Sequence, residues 1–197
     1  MTPTTLTKLL FPAVATLALT LAGCSKPGEA PTTAPTPVAI SASSYETVAQ
    51  TGKGFTVGSM MSAQPVYVLF EPQCPHCGHL WQASMALHSK VKFVWIPIAF
   101  NQGKSLAQAV TLMSSDKPLE TMTEHEQSLL SGNGGITAMG GITSEQEQAI
   151  KTNTQLLATL GQDSVPFILT KNRRTGEIVS HSGAMETADL AAFIGVD

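Results

Sequence analysis

Cysteine, charge and long apolar runs are all scarce in this chain. Only three cysteines occur among 197 residues, so at least one of them cannot pair within the chain. Charged residues make up 13% of the sequence, with 11 Lys and Arg against 14 Asp and Glu, and the basic residues are scattered. A surface for nucleic acid is therefore not expected. The hydrophobic content of 43% suffices for one globular domain with a core, and no internal repeat is visible.

The N-terminal segment carries an apolar stretch over 9–22, directly after Lys8. Proline and threonine interrupt the stretch, and it is too short for a membrane span. It leads into the tetrapeptide LAGC, ending at Cys24, which resembles the lipobox of bacterial lipoproteins. The resemblance implies a signal peptide over 1–23, lipidation of Cys24 and, because Ser25 follows, an outer-membrane location. An ordinary secretory signal with a chance cysteine is the alternative.

A segment rich in Pro, Ala, Thr and Ser follows over 24–44 and predicts an extended linker. We expect the folded domain to occupy 45–197. Two nearly continuous apolar runs, over 66–71 and 91–98, are typical of strands buried on both faces of a sheet. A helical pattern lies between them, so the order is β-α-β and the predicted class is α/β.

Shorter patterns complete the predicted secondary structure. Helices are predicted over about 44–50, 105–114, 117–130, 144–160 and 187–194, and strands over 55–58, 165–170 and 177–180. The three middle helices form a helical insertion over about 103–161. The predicted helix caps are Ser43 or Ser44, a capping box of Ser144 with Glu147, and Thr187.

The stretch Cys74-Pro75-His76-Cys77 joins the end of the first long strand to the following helix. Two cysteines at this spacing can bridge across one helical turn, and a strand–CxxC–helix context predicts a redox pair. The unpaired N–H groups at the helix start stabilise a thiolate on Cys74. The rival interpretation is half of a zinc site with His76 or His79. We expect no metal, because zinc takes four ligands and the chain has no second Cys or His pair.

The order of elements, the CPHC motif and the later Val165-Pro166-Phe167 at a strand entry resemble the thioredoxin fold over about 55–196. The nearest family resemblance is to the periplasmic Dsb thiol:disulfide interchange proteins. The helix around Trp81, the helical insertion and the stretch 186–190 look like the DsbG/DsbC branch. A histidine at position 76 is instead similar to the oxidase DsbA.

The resemblance assigns roles to the four residues of the motif. Cys74 is the expected nucleophile, with a lowered pKa, and Cys77 the less exposed resolving thiol. Pro75 and His76 would tune the redox potential, because an imidazole near a thiolate stabilises the reduced form and makes the disulfide a stronger oxidant. The plainer alternative for His76 is an exposed turn residue.

Three more residues receive roles through the same resemblance. Pro166 is expected to follow a cis peptide bond and to pack beside the motif, and the backbone of Val165 to pair with an extended substrate segment. Glu71, three residues before Cys74, would assist proton transfer to the buried cysteine if its pKa is raised. An ordinary exposed glutamate at a strand end is the alternative. Trp81 is expected in the core rather than over the site.

The sequence thus predicts a periplasmic thiol:disulfide oxidoreductase, either an oxidase or a DsbG-like reductase, with no cofactor beyond the Cys74–Cys77 disulfide. Expected partners are exported proteins with thiols, disulfides or sulfenic acids, and a membrane redox partner. We expect a monomer, because only about thirty residues separate Cys24 from Phe55 and leave no room for the dimerisation domain of DsbC and DsbG. A non-catalytic thioredoxin-like lipoprotein that binds a partner or metal, and a reductase dedicated to one partner, remain as alternatives.

Overall fold

A computed structural model describes residues 38–100, 103–138 and 140–196. The predicted signal peptide, Cys24 and the linker as far as residue 37 lie outside these described residues. Within the described ranges, no helix combines the length and the apolar character that a membrane crossing requires.

The described strands form one mixed sheet. The order across the sheet is first, sixth, fifth, third, fourth and second strand. The third and fourth strands run parallel, and every other neighbouring pair is antiparallel. The strands are β1 (Val38–Ala39), β2 (Phe55–Gly58), β3 (Pro65–Phe70), β4 (Lys92–Pro97), β5 (Phe167–Lys171) and β6 (Ile178–Ser182).

Helices join and cover these strands, so the predicted α/β class is confirmed. One helix forms the crossover between β3 and β4, and three helices lie between β4 and β5, within the stretch 103–161. The helices are α1 (Ala42–Thr51), α2 (Pro75–Met85), α3 (Ser105–Met113), α4 (Pro118–Leu130), α5 (Ser144–Thr159) and α6 (Thr187–Ile194).

The strand β3 is apolar along its whole length because both of its faces are covered. Side chains alternate along a strand, so Val68 and Phe70 enter the core beneath α2 and α6, whereas Leu69 enters a second core with α1 and α5. The first core contains Trp81, whose ring meets Trp95 edge-on at 5.2 Å between centroids. Trp81 is 1% exposed, which confirms its predicted place in the core.

The folded region begins before residue 45, where the predicted domain starts. Strand β1 pairs with β6 through Val38 and Ala39, inside the stretch assigned to the linker. Helix α1 begins at Ala42, and its N-cap is Ser41, whose side chain accepts the N–H of Ser44. The serines at 41, 43 and 44 are chemically equivalent candidates, and the local backbone decides between them.

The capping box of α5 lies one residue earlier than predicted. Thr143 accepts the N–H of Gln146, and the Gln146 side chain accepts the N–H of Thr143. Ser144 and Glu147 present the same spacing but lie inside the first turn. A capping box needs an extended N-cap backbone, and Thr143 has it, with φ −78° and ψ 159°.

The N-cap of α6 also differs from the prediction. Glu186 occupies that position, and Thr187 is the first helical residue. The Thr187 hydroxyl donates a hydrogen bond of 2.9 Å to the carbonyl of Ala83 in α2, so a tertiary contact takes the side chain that was expected to cap.

Candidate active site

The local chain path places the cysteine pair at the start of α2. Strand β3 ends at Phe70, and a short turn closed by the Cys74 N–H to the Glu71 carbonyl, at 3.0 Å, leads into the helix. Cys74 is the N-cap and Pro75 the first helical residue, a position where a missing N–H costs nothing. Both thiols are free; Cys74 is partly exposed, and Cys77 is fully buried.

The surroundings of Cys74 favour its thiolate. Its pKa is lowered from 9.0 to about 6, chiefly because the Cys77 thiol donates a hydrogen bond to its sulfur. The backbone N–H groups of Cys77 and His76 and the electrostatic influence of the His76 ring lower it further, while partial burial opposes them. This pKa falls within the range of about 3.5–7.5 found for reactive cysteines at helix starts.

Cys77 has the opposite character. Burial raises the pKa of its thiol well above 9.0, and the hydrogen bond that it donates to Cys74 raises it too. The negative charges of Cys74 and Glu126 add to the rise, and a backbone hydrogen bond from Glu71 opposes it. The two cysteines therefore differ in protonation. Cys74 is a partly exposed thiolate, and Cys77 is a protonated thiol buried in the core.

A second segment reaches the pair from 91 residues further along the chain. The Val165 carbonyl oxygen lies 3.7 Å from Cys74 Sγ, within reach of an S–H···O bond from the protonated thiol. The Val165–Pro166 peptide bond is cis, as predicted. Pro166 is buried at the entry of β5, so the structure brings these predicted residues beside the motif.

Pro75 and His76 are both exposed on the first turn of α2. The His76 ring lies 6.4 Å from the His79 ring, measured between centroids. Across the described ranges, no group of three or more His, Cys, Asp or Glu side chains is placed to hold a metal ion. His76 is thus exposed, as the plainer alternative proposed, and it still contributes to the low pKa of Cys74.

Glu71 is not an exposed strand-end residue. Its side chain is 2% exposed, and its two carboxylate oxygens accept backbone N–H groups from Phe100 at 2.6 Å and Gln73 at 3.2 Å. These bonds join the turn before Cys74 to the segment after β4. The predicted proton-transfer role therefore concerns a carboxylate that is already held by two backbone donors.

A buried polar network in the helical insertion holds the same turn from the other side. His125 is fully buried; its Nε2 donates to the Pro72 carbonyl at 2.8 Å, and its Nδ1 accepts the Ile136 N–H at 3.3 Å. Burial lowers the pKa of His125, which keeps the ring neutral as these bonds require. Gln108, also buried, bonds to Gln73 and to the Ile136 carbonyl. Neither His125 nor Gln108 was predicted as part of the site.

Glu126 in α4 is the third residue that the sequence analysis missed. It is 1% exposed, and neither carboxylate oxygen has a hydrogen-bond partner among the described residues. Burial raises its pKa to about 8, and the charge of Cys74 adds to the rise. Its spacing was a usable signal: Met122 and Leu130 stand four residues to either side, which puts Glu126 on the apolar face of α4.

Sequence comparison relates the chain to two bacterial proteins. It is 24% identical over 132 residues to the thiol:disulfide interchange protein DsbG of Pseudomonas aeruginosa, covering 66% of this chain and 50% of the relative. It is 27% identical over 105 residues to DsbG of Escherichia coli, covering 52% and 42%. The chain thus spans about half the length of the curated relatives it matches. No protein-family model matches it.

Three solved structures illustrate the similarity in fold. A periplasmic thioredoxin-like protein from Salmonella enterica aligns with a TM-score of 0.62 at 16% identity, covering 79% of this chain and 95% of the other. The catalytic domain of Proteus mirabilis ScsC gives 0.59 at 14% identity, covering 78% and 93%. The thiol-disulfide exchange protein α-DsbA2 from Wolbachia pipientis gives 0.58 at 16% identity, covering 77% and 92%.

These similarities confirm the predicted thioredoxin-like fold. Fold and site together define the class: a thioredoxin-fold protein with a CxxC pair at the start of a helix. Within that class, the two sequence relatives are both thiol:disulfide interchange proteins named DsbG, so the chain is similar to Dsb proteins in sequence as well as in fold.

The hydrogen bond from Cys77 can be tested with a matched pair of variants. Cys77→Ala removes the donor, whereas Cys77→Ser keeps a hydroxyl in its place. Because this bond contributes most to the lowered pKa of Cys74, we expect the pKa to stay near its value of about 6 in the serine variant and to rise by one unit or more in the alanine variant. The measurement is the pH dependence of Cys74 alkylation, read by peptide mass spectrometry.

The direction of the expected shift in the alkylation midpoint follows from the thiolate being the reactive form of Cys74. In the serine variant, alkylation should rise between about pH 5 and pH 7 and then level off. In the alanine variant, the same rise should move to higher pH. An unshifted midpoint in the alanine variant would contradict the assigned cause and leave the helix N-terminus as the controlling feature.

Proposed function

We propose that this protein is a periplasmic thiol:disulfide oxidoreductase that works through the Cys74–Cys77 pair. The observation that carries the proposal is the opposite protonation of the two thiols: a partly exposed Cys74 with a pKa of about 6, bonded to a buried Cys77 with a raised pKa. At pH 7, about nine-tenths of a thiol with such a pKa is thiolate, the nucleophile of disulfide exchange.

The exchange reaction follows from this arrangement. The Cys74 thiolate attacks a substrate disulfide, forms a mixed disulfide and releases one substrate thiolate. Cys77 then attacks Cys74 Sγ, which forms the Cys74–Cys77 disulfide and releases the second substrate thiolate. Run in reverse, the same steps oxidise a substrate dithiol. The Val165 backbone, beside Cys74, would align an extended substrate segment by strand-type hydrogen bonds.

The direction of net electron flow divides the proposal into two forms. The lowered pKa of Cys74 stabilises the reduced protein, which favours an oxidase that donates its disulfide. The sequence relatives, both named DsbG, favour the DsbG-like form that is kept reduced. The substrates in either case are exported proteins with thiols, disulfides or sulfenic acids, and a membrane redox partner restores the working state. We propose a monomer with no metal or organic cofactor.

The comparisons and the N-terminal motif support a proposal for the location of the protein. The Salmonella protein with the same fold is described as periplasmic, and an exchange protein of this kind works in an oxidising compartment. We propose that Cys24 carries lipid and holds the domain at a bacterial membrane, with the outer membrane favoured by Ser25. A non-catalytic lipoprotein that binds a partner or metal would need neither thiolate stabilisation nor a resolving thiol.

Serine replacements at the two cysteines separate their roles. Cys74→Ser should reduce insulin reduction and dithiol oxidation to the uncatalysed rate, because the only exposed thiol of the pair is gone. Cys77→Ser should still attack substrates but leave them attached to Cys74, visible as mixed disulfides on non-reducing gels. Unchanged activity in Cys74→Ser, or equal trapping by both variants, would contradict the proposal.

The direction of electron flow is measured by the resting redox state of the pair in the producing bacterium. Rapid acid quenching followed by thiol alkylation distinguishes the dithiol from the disulfide. An oxidase is expected to be mostly disulfide, and a DsbG-like reductase mostly dithiol. Deleting the membrane protein that resets the pair should invert the ratio of dithiol to disulfide. If the ratio stayed the same after deletion of each candidate membrane protein, the need for a membrane partner would be contradicted.

Lipidation of Cys24 predicts a change in cell fractionation. The natural protein should sediment with membranes and yield an N-terminal peptide that begins with acylated Cys24. Cys24→Ser should lose the acyl group while Cys74 and Cys77 keep their reactivity. An unmodified Cys24 in the mature protein would instead support the ordinary secretory signal.

A further inference from the structure

The carboxyl group of Glu126 lies next to Gly78, the residue that follows the redox pair, although its helix is far from the motif in sequence. Helix α4 packs against α2, and Glu126 Oε2 rests against Gly78, the residue directly after Cys77. A Cβ at position 78 would lie 2.7 Å from that oxygen. Glycine is therefore the residue that lets the carboxyl group approach so closely.

Stability gives no reason for an acid at this position. Glu126 is 1% exposed, and neither of its oxygens has a hydrogen-bond partner among the described residues. Burying a polar group without a hydrogen-bond partner costs stability. The neighbours on the same face of α4, Met122 and Leu130, show that an apolar residue suits this face. A group kept at such a cost calls for a functional explanation.

A groove lies close to Glu126. It has a volume of about 200 Å³ and lies between α2 and α4. Glu126 is one of the residues that line the groove, and its carboxylate oxygens are themselves shielded from solvent. The residues that line it are Trp81, Gln82, Met85, Thr123, Glu126 and Gln127.

The exchange reaction needs a proton acceptor at this place. Cys77 is fully buried and must lose its proton before its sulfur can attack Cys74. Once Cys74 is in a mixed disulfide, its sulfur carries no negative charge and cannot accept the proton of Cys77. Glu71, the other buried acid near the pair, already accepts two backbone N–H groups.

We propose that Glu126 is the proton acceptor and donor for Cys77, an inference that rests on the proposed oxidoreductase function. When a mixed disulfide is resolved, the Glu126 carboxylate takes the Cys77 proton, and the Cys77 thiolate bonds to Cys74 Sγ. The bond between Cys74 Sγ and the substrate sulfur breaks, and the substrate leaves as a thiolate. In reverse, Cys77 leaves as a thiolate and takes the proton from the Glu126 carboxyl group.

The charge of Cys74 determines at which step Glu126 is ionised and can accept a proton. In the reduced protein, the Cys74 thiolate adds to the effect of burial in raising the pKa of Glu126 to about 8, so the carboxyl group is protonated at neutral pH. In the mixed disulfide, Cys74 carries no charge, and part of the rise disappears. A larger fraction of Glu126 is then ionised at the step that needs a base.

The other titratable groups near Glu126 do not take over the effect of the Cys74 charge on its pKa. Helix α4 packs against α2, α3 and β2, and the last two contain no titratable side chain. On α2, His76 and His79 are exposed to solvent. On α4 itself, Glu120 and Glu124 are exposed, and the buried His125 ring is occupied by its bonds to Pro72 and Ile136.

The decisive variants are Glu126→Gln, which keeps the shape but cannot accept the proton, and Glu124→Gln, an exposed control with the same charge change on the same helix. The parent protein is the full-length chain with Cys24→Ser, in which Cys74 and Cys77 are the only thiols that can react. Both variants are made in this parent. Stopped-flow reaction of the reduced protein with Ellman's reagent releases one coloured thiolate when Cys74 attacks. It releases a second when Cys77 resolves the adduct, and both phases are followed across pH.

We expect Glu126→Gln to slow the second phase by about 100-fold at neutral pH and to move its rise to higher pH, because general-base catalysis is lost. The first phase should be as fast as in the parent, and Glu124→Gln should match the parent in both phases. An unchanged second phase in Glu126→Gln, or equal slowing of both phases, would overturn the role of Glu126. A parent protein that lacks the fast first phase would instead contradict the proposed oxidoreductase function.

A second measurement needs no substitution at position 126. The ¹³C shift of the Glu126 carboxyl group reports its titration directly in the parent protein. Its midpoint should be near the value of about 8 in the reduced form and clearly lower in the Cys74–Cys77 disulfide form, where the thiolate is absent. Equal midpoints in the two forms would overturn the proposed coupling.

Discussion

The hydrogen bond from the Cys77 thiol to the Cys74 sulfur connects the fold of this protein with its chemistry. It exists because α2 starts at Cys74, which places the two sulfurs one helical turn apart and sends Cys77 into the core. The same bond lowers the pKa of Cys74 and raises that of Cys77. One geometric relation thus makes an exposed nucleophile and a buried thiol whose proton has to be moved by a neighbouring group.

The rest of the structure holds that helix start in place. The turn before Cys74 is fixed on one side by the Glu71 carboxylate, which joins it to Phe100, and on the other by His125, which bonds to the Pro72 carbonyl. The three-helix insertion therefore belongs to the site: it supplies His125 and Gln108 to the turn and Glu126 to the side of α2 at Gly78. A buried ring that must stay neutral and a buried acid that must titrate lie side by side on α4.

The elements with strong periodic patterns were predictable, and their ends were less so. Strands β3 and β4 and the three inserted helices lie within one or two residues of the predicted bounds, and the crossover helix α2 lies between the two strands as predicted. The observed N-caps of α1, α5 and α6 lie one to three residues before the predicted ones. Several Ser, Thr or acidic residues follow one another at these helix starts, and the backbone conformation and tertiary contacts determine which of them is the cap. The short strand β1 had no pattern of its own and forms by pairing with β6.

Local sequence alone determined the redox motif: the spacing of Cys74 and Cys77, their place at a strand-to-helix junction, and the continuous burial of β3 all follow from neighbours along the chain. Only the tertiary structure decided which acid stands behind Cys77. The carboxylate of Glu71, which is close in sequence, accepts backbone N–H groups. Helix packing instead brings in Glu126, 49 positions from Cys77, whose carboxylate has no hydrogen-bond partner among the described residues. The physical reason is that desolvation and charge act through space, and only packing sets those distances.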